Sequence, residues 1–262
     1  MSTLANVVVA ERPARGLTRW FYVGIAGLCA LVAFGGFAPT YWLQLVPGTF
    51  IGSPLLHLHA VLFSLWTLYL VAQTTVAARG QIGRHRAWGL AGISLATAMV
   101  LVGAAAANNA LAGRLAAGLG DAARAIHIVP ISLIFLFAVL VCAAIATVTR
   151  PEIHKRLMLL ATVAVMPPAI ARIFYAWNVD VAPGARPGLG PLRTVESVAA
   201  SGYVADVLIL AAIAHDLLTR RRPHPAYIIG GAFIFAVQVL RVPVSTTQWW
   251  YSVADFLARF SR

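Results

Sequence analysis

Seven runs of about 20 apolar residues, separated by short polar or glycine- and proline-rich segments, constrain this chain more than any other feature. A helix rises about 1.5 Å per residue, so each run matches the roughly 30 Å hydrocarbon core of a bilayer. The runs fall at 20–38, 55–78, 87–110, 125–149, 156–177, 198–219 and 226–246. Inside lipid every backbone polar group has to be satisfied within the protein, so runs of this length are helices. The predicted fold class is therefore all-α: a polytopic bundle of seven transmembrane helices at 20–246. It is preceded by a segment at 1–19 and followed by one at 247–262. In the last segment Trp249, Trp250, Tyr251, Phe256 and Phe260 mix with Asp255 and Arg259, which reads as an amphipathic helix lying in the membrane interface. Composition agrees. The chain is 60% hydrophobic and 11% charged, against about 25% charge in soluble domains.

The basic residues orient the helices. Arg12, Arg15, Arg19, Arg79, Arg84, Arg86, Arg150, Lys155, Arg156, Arg220, Arg221 and Arg222 are twelve of the twenty lysines and arginines, and all fall in short segments on one side. The positive-inside rule makes that side cytoplasmic, with the N-terminus inside, the C-terminus outside, and a bacterial inner membrane as the setting. The net charge of +12 is then explained by loops and anionic headgroups, not by nucleic acid. The same orientation argues against microbial rhodopsins, which also need a lysine in the last helix; the only lysine here is Lys155. Cys29 and Cys142 both lie in apolar runs, so no structural disulfide is expected. The first 20 residues lack a cleavable signal pattern.

Within this frame the histidines repeat. His85 in GRHRAWG, His154 in EIHKRLM and His224 in RRPHPAY are 69 and 70 residues apart, as a two-helix unit used three times would place them. His57, His59 and His127 lie near the opposite ends of the second and fourth helices, while His85 and His154 lie at the basic ends of the third and fifth. Alternate helices thus carry histidines at alternate faces. Bis-histidine ligation leaves no open coordination position, which suits electron transfer. The pairs would be His59 with His127 and His85 with His154. His59 is preferred to His57 because it shares a helical face with Gln73. His224 has no histidine at the matching outer position, and His215 beside Asp216 reads as structural, at a helix end.

This placement resembles the ascorbate-reducible transmembrane b-type cytochromes over residues 55–177. That resemblance implies two haem b groups, electron transfer across the membrane, and a small-molecule donor or acceptor such as a quinol. That family usually has six helices, one fewer than here. A looser likeness, through GRHRAWG, is to bacterial multi-span membrane proteins with an HRRLG-type loop, and it implies no function.

The outer half also carries charge inside apolar runs: Arg172, Asp206 and Arg241, with Asn108 and Asn109 nearby. An intramembrane charge normally has a partner or lines a cavity. Asp206 is expected to pair with Arg172 or Arg241, and either arginine is a candidate contact for a haem propionate or a substrate carboxylate. A rival reading takes His57, His59, His127 and Asp206 as ligands of one zinc ion in an intramembrane hydrolase. Zinc hydrolases of the ceramidase and progestin-receptor class follow that logic, but their HxxxH motif is absent. A transporter or ligand-binding protein is the third reading. Pro167-Pro168 should break the fifth helix, and the glycine- and proline-rich segment 178–196 is either a lid or a plain connector.

Overall fold

The computed structural model describes residues 14–176 and 192–261, and within them the chain is helical, with short turns and no strand. Six helices are long and apolar enough to cross a membrane, and a bent pair makes a seventh. The 1–13 part of the N-terminal segment and most of the proposed lid, residues 177–191, lie outside the described residues.

Helix α1, Ala14–Phe37, continues through a π-helical turn, Ala38–Trp42, into the short α2, Leu43–Leu45. The first apolar segment therefore reaches Leu45 instead of stopping at 38. Pro39 lies in the wide turn. It has no N–H to donate and its ring crowds the preceding turn, and a π-turn accommodates both. The Gln44 amide donates to the Pro39 carbonyl at 3.1 Å. The remaining helices are α3 (Pro54–Ala78), α4 (Ile82–Ala116), α5 (Gly120–Ala146), α6 (Pro151–Ala164), α7 (Pro167–Ala176), α8 (Val195–Arg220), α9 (Pro225–Val244) and α10 (Gln248–Ala258). The third predicted run, 87–110, is exceeded at both ends. No proline interrupts Ile82–Ala116, and the helix runs on for 35 residues.

Three helical hairpins, α3–α4, α5–α6 and α8–α9, all turn at the arginine-rich end. These hairpins are the physical form of the 69- and 70-residue spacing. Two of the turns use left-handed backbone, at Gly80 (φ 75°) and at Arg221 (φ 60°). His85 and His154 are each the fourth residue of the returning helix. His224 is different: it precedes α9, and its Nδ1 accepts the Ala226 N–H at 3.1 Å as a helix cap. The third copy of the repeat has turned its histidine into a backbone acceptor.

Helix α6 runs through the middle of the bundle, packed by α5, α9, α8 and α1. Its Leu159, Leu160, Ala161, Val163 and Ala164 are all buried in the main core, with Trp66, Met99, Leu136 and Ile234 from neighbouring helices. Trp66 donates to Thr162 Oγ1 at 3.1 Å, linking α3 to α6 at the centre. The predicted break occurs: α6 and α7 meet at Val165–Met166 with a bend of 41°. Pro167 opens α7, where its missing N–H costs nothing. The break also admits a close contact. A Cβ on Gly36 would stand 2.2 Å from the Ala169 carbonyl oxygen, so α1 meets the start of α7 backbone to backbone.

Helix α10 folds back across the end of the bundle remote from the arginine-rich turns. Trp250 and Ala254 share a second, smaller core with Leu111, Ala123, Ile126, Ile128 and Val195. The Trp250 indole donates to the Arg124 carbonyl at 2.8 Å, and the Arg124 side chain donates to Asp255 at 2.8 Å. Its other face keeps the interfacial character expected of it, with Trp249, Phe256 and Phe260 exposed.

Candidate functional site

At the arginine-rich end, α4 and α6 bring His85 and His154 together, with ring centroids 6.2 Å apart and planes at 76°. His154 Nδ1 lies 2.9 Å from the Ala144 carbonyl oxygen. A carbonyl only accepts, so Nδ1 carries the proton and the Nε2 lone pair is left free. This is the arrangement by which proteins fix a metal-binding imidazole: one nitrogen anchored, the other presented. His85 Nδ1 is buried with no partner, and the Gln73 backbone is within hydrogen-bonding reach of the same ring. Gln73 itself donates to the Tyr69 hydroxyl at 2.9 Å, which donates to the Trp88 carbonyl at 2.8 Å. Gly92 makes room for Tyr69: a Cβ there would lie 2.3 Å from the hydroxyl.

The same end holds an ion network that the sequence did not reveal. Arg156, wholly buried on α6, donates from Nε and Nη2 to the two oxygens of Asp216 on α8, at 3.0 and 2.5 Å. Its Nη1 reaches the Glu152 carbonyl at 2.8 Å and the Glu152 carboxylate at 2.7 Å. Lys155 and Arg220 also bind Glu152, at 2.7 and 3.0 Å. The His224 backbone N–H donates to Asp216 at 3.2 Å, and the Tyr227 hydroxyl donates to Tyr22 at 3.2 Å. Asp216 lies near the end of α8, which runs to Arg220 as expected to within a residue, and locks that helix to α6. His215 stacks on Phe21 at 3.9 Å, and both of its ring nitrogens are buried without a hydrogen-bond partner. One signal was available: the chain has only eight acidic residues, and one placed inside an apolar helix normally has a polar partner or lines a cavity.

At the opposite end the predicted histidines separate by role. His57 is held by the π-turn, its Nδ1 3.0 Å from the Tyr41 hydroxyl and its ring against Phe50. His59 stacks on Phe63 at 4.1 Å, and its Nδ1 is buried without a partner. His127 has no exposed surface and no partner on either nitrogen; its ring lies 6.1 Å from Trp250 of the α10 cap. His59 and His127 make no ring contact with each other among the described residues. Asn108 Oδ1 on α4, between the two helices, is also buried and unpartnered. Three consecutive helices thus each carry a buried unsatisfied polar group in the half of the bundle remote from the arginine-rich turns.

The charged residues correct one expectation. Asp206 accepts from the Gln238 amide at 3.2 Å and forms no ion pair with Arg172 or Arg241. Arg172 donates to the Pro168 carbonyl at 3.0 Å, and its guanidinium lies over the Phe37 ring at 4.4 Å. It is occupied within its own helix, one turn from Pro168. Arg241 is 3% exposed, and none of its three guanidinium nitrogens has a hydrogen-bond partner. Among the described residues no three His, Cys, Asp or Glu side chains gather as metal ligands. His57, His59, His127 and Asp206 do not converge on a point where zinc would sit.

Compared with family models, curated proteins and solved structures, the chain matches none. What the fold and the site define is a class: a polytopic helical membrane protein with a facing histidine pair at one end and unsatisfied buried polar groups at the other.

Proposed function

We propose that this chain is an integral membrane haem b protein that moves electrons through the bilayer, with His85 and His154 holding one haem and His59 and His127 the candidates for a second. The observation that carries the reading is the His85–His154 pair. Metal–imidazole bonds of about 2 Å, plus roughly 1 Å to each ring centre, would let two imidazoles about 6 Å apart hold one metal ion between them; the observed separation is 6.2 Å. The tautomer imposed on His154 by Ala144 is the one a ligand needs. Haem b would supply a one-electron couple without an open site for oxygen. The chain's own part is to fix the two imidazoles on helices instead of loops and to keep the pair beside the buried Gln73 and the half-buried Tyr69. At the far end, the four unpartnered nitrogen and oxygen atoms of His59, Asn108 and His127 support a second ligand-bearing level. A small-molecule electron donor or acceptor such as a quinol, and a bacterial inner membrane with the arginine-rich turns inside, complete the proposal.

The test is a visible spectrum of the purified protein before and after dithionite. A Soret band that shifts, and an α band that grows on reduction, are expected. His154→Ala should remove the basic-end component while the helical circular dichroism is kept. A colourless wild-type protein that also fails to take up added haem would sink the reading.

A further inference from the structure

The strongest unmet demand in the molecule is the Arg241 guanidinium. It sits on the third residue before the end of α9, is nine-tenths buried, and makes no hydrogen bond from Nε, Nη1 or Nη2. A guanidinium does not lose its proton in a protein, so the charge cannot be relieved by titration. The nearest acid does not relieve it either. Asp206 is within electrostatic reach but spends its hydrogen bond on Gln238 Nε2. The close approach of α8 and α9 at Gly202, where a Cβ would lie 3.1 Å from the Gln238 amide carbon, holds Gln238 in that position.

Arg241 is not isolated. Val242 beside it packs into the same small core as Ile126 and Ile128, which flank His127. Gln238 Oε1, one turn from Arg241, is unpartnered as well. A buried cation and a buried amide oxygen, both unsatisfied, thus lie one turn apart on α9, on the side that meets α8. An anion with a planar pair of oxygens matches a guanidinium fork, and polar neighbours suit a group that also offers a donor.

From this we infer that Arg241 is the anchor of a carboxylate that enters the far end of the bundle with a ligand. The inference deepens the haem reading if the carboxylate is a haem propionate, and stands apart from it if the carboxylate belongs to a free small molecule. The full-length protein in lipid nanodiscs distinguishes the two. In one arm His154→Ala protein, which keeps only the far-end histidine pair, is titrated with haem b and with its dimethyl ester. In the other arm wild-type protein is titrated with benzoate and with benzamide, its neutral counterpart. Charge-assisted hydrogen bonds to Arg241 should favour the acid by about 10- to 100-fold. Preference for haem over its ester assigns a propionate; preference for benzoate alone assigns a free carboxylate.

Arg241→Gln should abolish the preference, and helical circular dichroism like that of the wild type shows the variant is folded. If Arg241→Gln does not fold, Arg241→Lys, which keeps the charge but loses the two-pronged fork, takes its place and should weaken the preference. Equal binding of acid and neutral probe in both arms overturns the inference, as does a preference that survives in Arg241→Gln. Failure to bind either haem or its ester counts against the haem reading alone and leaves the benzoate arm to decide this one.

Discussion

Removing the Asp216 carboxylate should destabilise the bundle by about 3 kcal/mol, near the lower end of the range for breaking a buried ion pair. The figure follows from what Asp216→Ala leaves behind. Arg156 and Asp216 have side-chain exposures of 0% and 1%, and two hydrogen bonds join them. Without the acid, Nε and Nη2 face a gap. Nη1 keeps the Glu152 carbonyl and carboxylate, so the charge is not wholly stranded, which places the loss near the lower limit. Glu152 is 51% exposed, and Glu152→Ala should cost only about 0–1 kcal/mol. The double variant Arg156→Met/Asp216→Leu removes the charge together with its partner and should recover most of the loss, to within about 1.5 kcal/mol of the parent. The assay is unfolding by dodecyl sulfate in mixed micelles, followed through the fluorescence of the seven tryptophans. A loss under about 1 kcal/mol for Asp216→Ala, or a double variant no better than the single one, refutes the reasoning that an uncompensated charge sets the cost.

Two glycines on one helix should respond in opposite directions. Gly36→Ala drives a Cβ into the Ala169 carbonyl and should cost about 2–3 kcal/mol by the same assay, whereas Gly27→Ala meets nothing within 4 Å and should gain about 0.5–1 kcal/mol from helix propensity. Equal effects at the two positions would remove the case for a backbone contact. Burial, reinforced by Arg156 and Arg220, holds the His224 imidazole below its ordinary value. Its cap also needs an unprotonated Nδ1. A histidine with a lowered folded value favours the folded state most when neutral. Its contribution is therefore complete above about pH 6.5 and is lost as pH falls through the lowered value. His224→Asn keeps a capping acceptor that does not titrate, so its stability should fall less than wild type below about pH 6.5. Superimposable pH profiles would show that His224 does not contribute.

The spans were legible because bilayer thickness fixes a length, and length with hydropathy is written residue by residue. The break at Pro167-Pro168 was legible for the same local reason. The rest depends on which helices meet. Arg156 sits in a basic turn and reads as a topology signal, and only the packing of α6 against α8 turns it into a buried partner of Asp216. Asp206 looked bound to an arginine because both are charges in apolar runs, yet Gln238 is what α9 presents to it. His59 was preferred to His57 only for the face it shares with Gln73, and the contact that occupies His57 comes from Tyr41 in the π-turn, which the sequence did not show. Trp250 looked like an interface anchor until α10 was seen docked over His127. The pairing of His85 with His154 was anticipated from alternation along the chain, but the proton on His154 Nδ1 depends on the Ala144 carbonyl, which only the hairpin turn supplies.

The α10 cap also sets an order of events. Chains are made from the N-terminus, and α10 follows every membrane-crossing helix in sequence. His59, Asn108, His127 and Arg241 are therefore in the membrane before Trp250 and Asp255 exist to close over Arg124 and the small core beside it. For that interval the far end of the bundle stands uncovered. Anything bulky that belongs there is most easily admitted during biosynthesis, before α10, which follows the spans, shuts the door behind it.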